Sequence, residues 1–238
     1  MNENFSNLKE MNAKYIGKSP EQIISQAISD FGQRIVYVSS FGTESAVVLH
    51  MISKIDKFLP VLLLNTHFLF DETLEYKNKL LEKLSLRNFK EIFPDQNTLN
   101  NKDFENKLWD INPDKCCKIR KVLPLKKELK FYDAWISGRK SYQSSERRAL
   151  NVVEFQNNKV VINPLVNFSQ KDVEEYFLSY DLPRHPLLSQ GYLSIGCKPC
   201  TSKCSNVNDM RSGRWINQNK TECGIHLKFD SMKNINNG

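Results

Sequence analysis

A chain of 238 residues with 40% hydrophobic side chains can build one large core, or one domain with a functional tail. Its longest apolar run, "FLPVLLL" at 58–64, is far short of the roughly 20 residues that span a bilayer, and "MNENFSNLKEMNAKYIGK" holds no apolar signal-peptide core, so a cytoplasmic protein without a membrane partner is expected. The formal charge of +7 leaves open both a solvated basic surface and an anionic partner, and Lys and Arg are spread without a dense run, which argues against a polybasic nucleic-acid tail.

Residues 1–30 read as a helical lead-in, with Ser19-Pro20-Glu21 as a helix start. "RIVYVSS" at 34–40 is rich in β-branched and aromatic residues and reads as a buried strand running into a helix, "FGTESAVVLHMISKI". "FLPVLLLNT" is a second strand. "DETLEYKNKLLEKL" is an amphipathic helix with Leu74, Leu80, Leu81 and Leu84 as its apolar residues and acids in its first turn. "FKEIF" at 89–93 is a third strand, followed by a helical stretch around "FENKLWD" and by the segment "DKCCKIRKVLPL" at 114–125. "YDAWISG", "VVEF" and "VVINPL" read as strands, and "SQKDVEEYFLSY" as a helix with Ser169 as N-cap and Asp172 completing a capping box. The last 50 residues lose periodicity and collect Gly, Pro, Cys and charges, the pattern of a functional arm. Alternating strand and helix predicts an α/β fold, a parallel sheet with helices on both faces.

"VSSFGTES" joins a strand to a helix, and its Ser and Gly residues let backbone N–H groups converge at a helix N-terminus, a ready anion site. It is neither G-x-G-x-x-G nor a Walker A sequence, so an ordinary strand-to-helix turn is the competing reading. Six cysteines in a reducing compartment are more often metal ligands or redox groups than disulfides. Cys197 and Cys200 in "GCKPC" form a pincer, and with the adjacent Cys116 and Cys117 they offer four thiolates, which suit zinc or an iron–sulfur cluster. Neighbouring side chains on a helix diverge by about 100°. A cubane, with several iron corners, takes such ligands more easily than one zinc ion, so a 4Fe–4S cluster is favoured. The competing reading of Cys116 and Cys117 is buried small hydrophobes. Cys204 is a free thiol or a spare ligand. Cys223, with His226 three residues on, is a candidate nucleophile, although Cys-x-x-His spacing alone is weak evidence.

Together these segments resemble the assimilatory adenylyl-sulfate and phosphoadenylyl-sulfate reductases, in particular the cluster-bearing branch. From about residue 34 to 228, "SSFGTESAVVLH", "LLLNTHFLFDET", "CCKIRKVLPL", "AWISGRKSYQSSERRAL", "HPLLSQGYLSIGCKPCT", "RSGRW" and "ECGIHL" follow in that family's order. The resemblance implies a Rossmann-like α/β domain of the adenine-nucleotide α-hydrolase (PP-loop) type over residues 1–205, with a mobile C-terminal catalytic arm over 206–238. It implies reduction of adenylyl sulfate to sulfite and AMP, with Cys223 attacking the sulfate sulfur and thioredoxin or glutaredoxin freeing sulfite from the S-sulfocysteine. It casts Cys116, Cys117, Cys197 and Cys200 as ligands of a 4Fe–4S cluster. Ser39, Ser40, Phe41, Gly42 and Glu44 match the nucleotide loop, and Leu69 the second nucleotide segment. Lys121 matches a lysine near both cluster and substrate, Arg148 or else Arg147 a substrate arginine, Arg211 and Arg214 the arginines before the arm, and His226 the arm's histidine. The physics agrees, since sulfate transfer to a thiolate needs positive charge on the sulfate and phosphate oxygens, which arginine supplies as a bidentate fork. The basic residues behind the cysteine pair are accordingly expected to face that anion.

The chain also departs from the family's pattern. Asn65 and His67 stand where Asp and Gly are common, Lys140 where arginine is usual, and "SKCSNVNDMRSGRW" adds Cys204 in place of a Pro-Gly-Glu-Asp stretch. Phosphoadenylyl sulfate is the rival substrate. A tRNA-thiolating enzyme of the same nucleotide fold would be expected to carry Ser-Gly-Gly-x-Asp-Ser where this chain has "SSFGTES". A zinc-bound nucleic-acid module is the non-enzymatic rival. Oligomeric state is open.

Overall fold

Six strands form one sheet in the computed structural model, which describes residues 3–206, 209–216, 218 and 220–226. They are β1 (Ile35–Ser39), β2 (Val61–Leu64), β3 (Phe89–Ile92), β4 (Ala134–Ile136), β5 (Val153–Gln156) and β6 (Lys159–Ile162), in the order β3-β2-β1-β4-β6-β5. β1 and β2 are apolar almost without interruption and buried along their whole length, as parallel strands covered on both faces must be. Every pairing is parallel except β5 with β6. This antiparallel edge refines the parallel sheet expected from the sequence. Its hairpin turns at Asn157 and Asn158, with φ of 52° and 61°, the left-handed conformation that Asn tolerates.

The helices are α1 (Glu3–Tyr15), α2 (Pro20–Phe31), α3 (Ser45–Ile55), α4 (Asp71–Lys83), α5 (Gln96–Lys102), α6 (Leu108–Ile111), α7 (Pro113–Cys117), α8 (Leu123–Glu128) and α9 (Gln170–Ser179). Two of them start where the sequence says. Ser19 and Gln22 exchange capping-box hydrogen bonds at α2, and Ser169 and Asp172 do so at α9. The stretch around "FENKLWD" is not one helix, however. The chain leaves α5 at Asp103, whose carboxylate accepts the Leu108 N–H at 2.8 Å and so starts α6.

Alternate strand residues face opposite ways. Ile35, Tyr37, Val61, Leu63 and Ile136 pack against α2, α3, α4 and α9. Val36, Val38, Leu62, Leu64 and Trp135 pack against Leu125 of α8 and Leu129. Helices on both faces are therefore as predicted. Among the described residues no helix is long and apolar enough to cross a membrane. The neighbours of β1 lead the chain to opposite sides, β2 on one and β4 on the other, so a crevice opens beyond the carboxyl ends of these strands.

Candidate active site

That crevice holds a cavity of about 220 Å³, walled by the ends of β1, β2 and β4, by residues 193–197, and by residues of 211–226. Its floor begins in the loop after β1. The Ser39 hydroxyl accepts the Phe41 N–H at 3.2 Å, and the Ser40 hydroxyl meets the Gly42 N–H at 3.4 Å. Phe41 bends the loop with a φ of 48° but does not face the cavity. Its ring is fully buried, edge-on to Phe89 at 5.8 Å, because a benzyl side chain gains more in the core than beside an anion. The Phe41 side chain thus packs into the core and shapes the loop from behind. Ser39, Ser40, Gly42, Glu44 and Leu69 do line the cavity. Glu44 accepts from Lys140 Nζ at 2.9 Å, from Gln143 Nε2 at 2.7 Å and from the Tyr142 hydroxyl. Burial would raise its carboxyl, but the Lys140 ammonium and these donors hold it below its ordinary value. Lys140, standing where the family usually has arginine, is thus committed to Glu44.

One wall is cationic. Lys121, Arg139, Arg147, Arg211 and Arg214 all line the cavity. Arg148 does not; it is exposed, so of the two adjacent arginines Arg147 faces the site. They flank the end of a single 3₁₀ turn, Ser145–Arg147, where neighbouring side chains point about 120° apart. Arg139 was not singled out from the sequence. It is held by Glu154 at 2.5 Å and by Asn163 Oδ1 at 3.2 Å, partners brought by the β5–β6 hairpin. Arg214 stacks over Trp215 at 4.4 Å and donates to the Cys200 carbonyl at 3.2 Å. A Cβ on Gly196 would run into its guanidinium, so a side chain there would have to push Arg214 aside. Burial lowers Arg211 to about 10.

The four cluster-candidate cysteines come together under this wall. Cys116 and Cys117 close α7, and a π-turn, Lys118–Val122, follows. Cys197 and Cys200 bracket the 3₁₀ turn Lys198–Cys200. All four are buried free thiols. Burial pushes Cys116 up to about 12, with Cys117, Cys197 and Cys200 adding repulsion, and pushes Cys200 up to about 11. Cys197 goes the other way. Burial opposes its ionisation, but Lys121 and the Thr66 hydroxyl, 3.1 Å from its sulfur, hold it below its ordinary value. Burial opposes the charge on Lys121 too, yet the sulfurs of Cys197, Cys117 and Cys223 keep its ammonium above its ordinary value. Among the described residues no group of three or more His, Cys, Asp or Glu closes around a single ion. Arg120 corrects the expectation that the basic residues behind the pair all face the anion. It is 1% exposed and donates to Asp103, Asn106 and the Thr66 carbonyl.

Cys223 lines the cavity, half-buried, and packs beside Cys197, Cys200 and Trp215. His226 also lines it, stacked on Trp135 with centroids 5.0 Å apart and rings 15° from parallel. Burial, then Arg139, Arg147 and Arg211, hold this imidazole neutral, and its Nδ1 has no hydrogen-bond partner among the described residues. The Cys223 sulfur lies within electrostatic reach of Lys121 and Arg211. Glu222 also lines the cavity and was not singled out from the sequence. Cys204 lies outside, bonded to the Ser212 hydroxyl at 2.8 Å.

The chain is similar to several known proteins. The adenosine 5'-phosphosulfate reductase of Chelativorans sp. (strain BNC1) is 42% identical over 220 residues, 92% of this chain and 90% of that one. The phosphoadenosine 5'-phosphosulfate reductase of Gloeobacter violaceus is 38% identical over 213 residues, 87% of this chain and 88% of that one. Among solved structures, the phosphoadenylyl-sulfate (PAPS) reductase of Candida auris, in a phosphate complex, superposes with a TM-score of 0.70 at 26% identity, covering 82% of this chain and 96% of that one. The FMN adenylyltransferase of Candida glabrata shares the fold, with a TM-score of 0.56 at 13% identity over 86% of this chain and 71% of that one. The family described as the phosphoadenosine phosphosulfate reductase domain matches residues 34–203, and the chain belongs to that family.

Proposed function

We propose that this chain reduces adenylyl sulfate to sulfite and AMP in the cytoplasm, as a step of assimilatory sulfate reduction and cysteine biosynthesis. The observation that carries this reading is that one half-buried thiol, Cys223, shares a cavity with Lys121, Arg147, Arg211 and Arg214 at the carboxyl ends of a parallel sheet. The Cys223 thiolate attacks the sulfur of the sulfo group. The bond from that sulfur to the phosphate oxygen breaks, AMP leaves with its electron pair, and a Cys–S–SO3⁻ adduct remains. A dithiol of the thioredoxin or glutaredoxin type then supplies two electrons: one thiolate attacks the Cys223 sulfur and expels sulfite, and its second thiol resolves the mixed disulfide. The guanidinium groups and Lys121 neutralise the oxygens on which charge builds. Ser39, Ser40, Gly42 and Leu69 cradle the nucleotide, and Glu44 fixes that loop through Lys140. Residues 206–238 act as a catalytic arm on the 1–205 domain, because Cys223 must meet both the nucleotide and a protein dithiol.

Cys116, Cys117, Cys197 and Cys200 fit a 4Fe–4S cluster. They are four buried sulfurs whose charges oppose one another, and iron relieves that repulsion. When bound, the cluster supplies a fixed charge beside Lys121 that tunes the field at the sulfo group. Iron and sulfide analysis after anaerobic purification tests it against zinc. The name of the Gloeobacter relative supports phosphoadenylyl sulfate as the alternative substrate, and turnover of the two nucleotides compared side by side decides between them.

Protein mixed with adenylyl sulfate in the absence of any dithiol is expected to gain the mass of one SO3 on the Cys223 peptide. Cys223→Ser is expected to lose that adduct and turnover while keeping its iron. Wild-type turnover by the serine variant would refute the assignment.

A further inference from the structure

The residue before Cys223 is gripped by cations that the nucleotide also needs. Arg147 donates to the Glu222 carboxylate from Nε at 2.6 Å and from Nη2 at 3.0 Å, a bidentate fork. Arg211 Nη2 approaches the same carboxylate at 3.4 Å and donates to the Thr221 carbonyl at 2.7 Å. The Arg147, Glu222 and Arg211 side chains are 12%, 17% and 14% exposed, so the cluster is shielded from water. All three line the cavity that Cys223 lines. A carboxylate and a sulfo or phosphoryl group offer such a fork the same paired oxygens, so they compete for it. Lys121 and Arg214 have no carboxylate partner among the described residues; Arg214 bonds the Cys200 carbonyl instead.

We infer that Glu222 is an internal stand-in for the substrate anion, latching the Cys223 segment over the cavity through Arg147 and Arg211 until the nucleotide displaces it. This rests on Cys223 being the nucleophile. Before the nucleotide arrives, the latch keeps the thiol docked and shielded. When the nucleotide's oxyanions take the two arginines, Glu222 loses its charged partners, while Lys220 stays paired with Asp114 and tethers the start of the segment. The segment can then re-seat with its sulfur toward the sulfo group and later carry the adduct out to the dithiol. A ligand that must displace such an occupant binds with an apparent affinity reduced by the fraction of molecules in which the site is free. Glu222 is thus a positioning residue. The opposite role, a scaffold that stays bound and aims the arginines at the substrate, makes the opposite prediction for nucleotide affinity.

The test uses the full chain, purified anaerobically, as wild type, Glu222→Gln and Glu222→Asp. AMP affinity is read by calorimetry, and iodoacetamide labelling of the Cys223 peptide by mass spectrometry. With the latch gone, Glu222→Gln is expected to bind AMP about tenfold more tightly and to label Cys223 about tenfold faster. Glu222→Asp keeps the charge and is expected to label at the slow wild-type rate. Unchanged or weaker AMP binding by Glu222→Gln, or unchanged labelling, would overturn the inference. Fast labelling of Glu222→Asp would also overturn it, by tracing the effect to packing rather than charge. Failure of the underlying reading looks different: wild type would then gain no SO3 on Cys223 from adenylyl sulfate, whatever the variants do.

Discussion

Arg120→Met is expected to destabilise the protein by about 3–5 kcal/mol, the cost of removing one partner of a buried ion pair. Arg120 and Asp103 are 1% and 2% exposed. The guanidinium reaches Asp103 Oδ2 at 3.1 and 2.6 Å, Asn106 Oδ1 at 2.7 Å and the Thr66 carbonyl at 2.9 Å, and lies 4.1 Å from the Phe68 ring centre. Methionine fills much of the same volume, so little of the loss comes from a cavity. The loss comes from a carboxylate left in the core with the Leu108 N–H at 2.8 Å as its remaining backbone donor. It follows that Arg120→Met/Asp103→Asn, which removes the stranded charge but keeps an acceptor for Leu108, recovers about 2 kcal/mol of the deficit. Urea unfolding followed by tryptophan fluorescence, at matched metal content, measures both differences. A single variant that loses less than about 1 kcal/mol, or a double variant no more stable than the single one, would refute the reasoning. The pair also ties the helix after Cys116 and Cys117 to the strand end carrying Thr66, which touches Cys197. Iron held at the four cysteines, as proposed above, should therefore leave Arg120→Met faster than wild type when a chelator is added.

Two further outcomes are expected. Arg147→Ala should lower kcat/KM about a hundredfold, the loss of one preorganised donor, whereas Arg148→Ala should stay within about twofold of wild type; equal losses would refute the distinction, and a larger loss at Arg148 would reverse it. His185 is 1% exposed, and burial holds its imidazole at about 4 against an ordinary 6.5. Its ring accepts the Leu187 N–H at 3.2 Å and meets the Thr73 hydroxyl at 3.0 Å. As pH falls from 6.5 toward 4 the unfolded chain binds this proton before the folded chain does, so stability is lost through that window. Between about pH 7 and about pH 5 the term is about 2 kcal/mol. His185→Gln starts less stable but lacks the slope, and urea midpoints at the two pH values that fall equally in both proteins would count against it.

The parts of this molecule that could be read in advance are those whose physics is local. An unbroken apolar run makes a covered strand, and a serine three residues before a side-chain acceptor makes a helix start, wherever in the chain they fall. β5 shows where this stops: its strand character is local, but its direction depends on two left-handed asparagines taken together with the strand beyond them. Phe41 carried a warning in its own chemistry, since a benzyl group is a poor neighbour for phosphate, yet it sits inside a motif whose other members face the cavity. The charged residues are the hard case. Arg120 and Lys121 are adjacent, equally basic and equally close to the cysteine pair, but one is spent on Asp103 and the other on the sulfurs. Arg139 waits on Glu154 and Asn163, and Arg147 on Glu222, 75 positions away. A charge acts through what it faces, and what it faces is decided by the packing of segments distant in sequence. Residue type therefore marks a chain built to meet an anion, while only the folded contacts say which guanidinium lines the cavity and what holds it there.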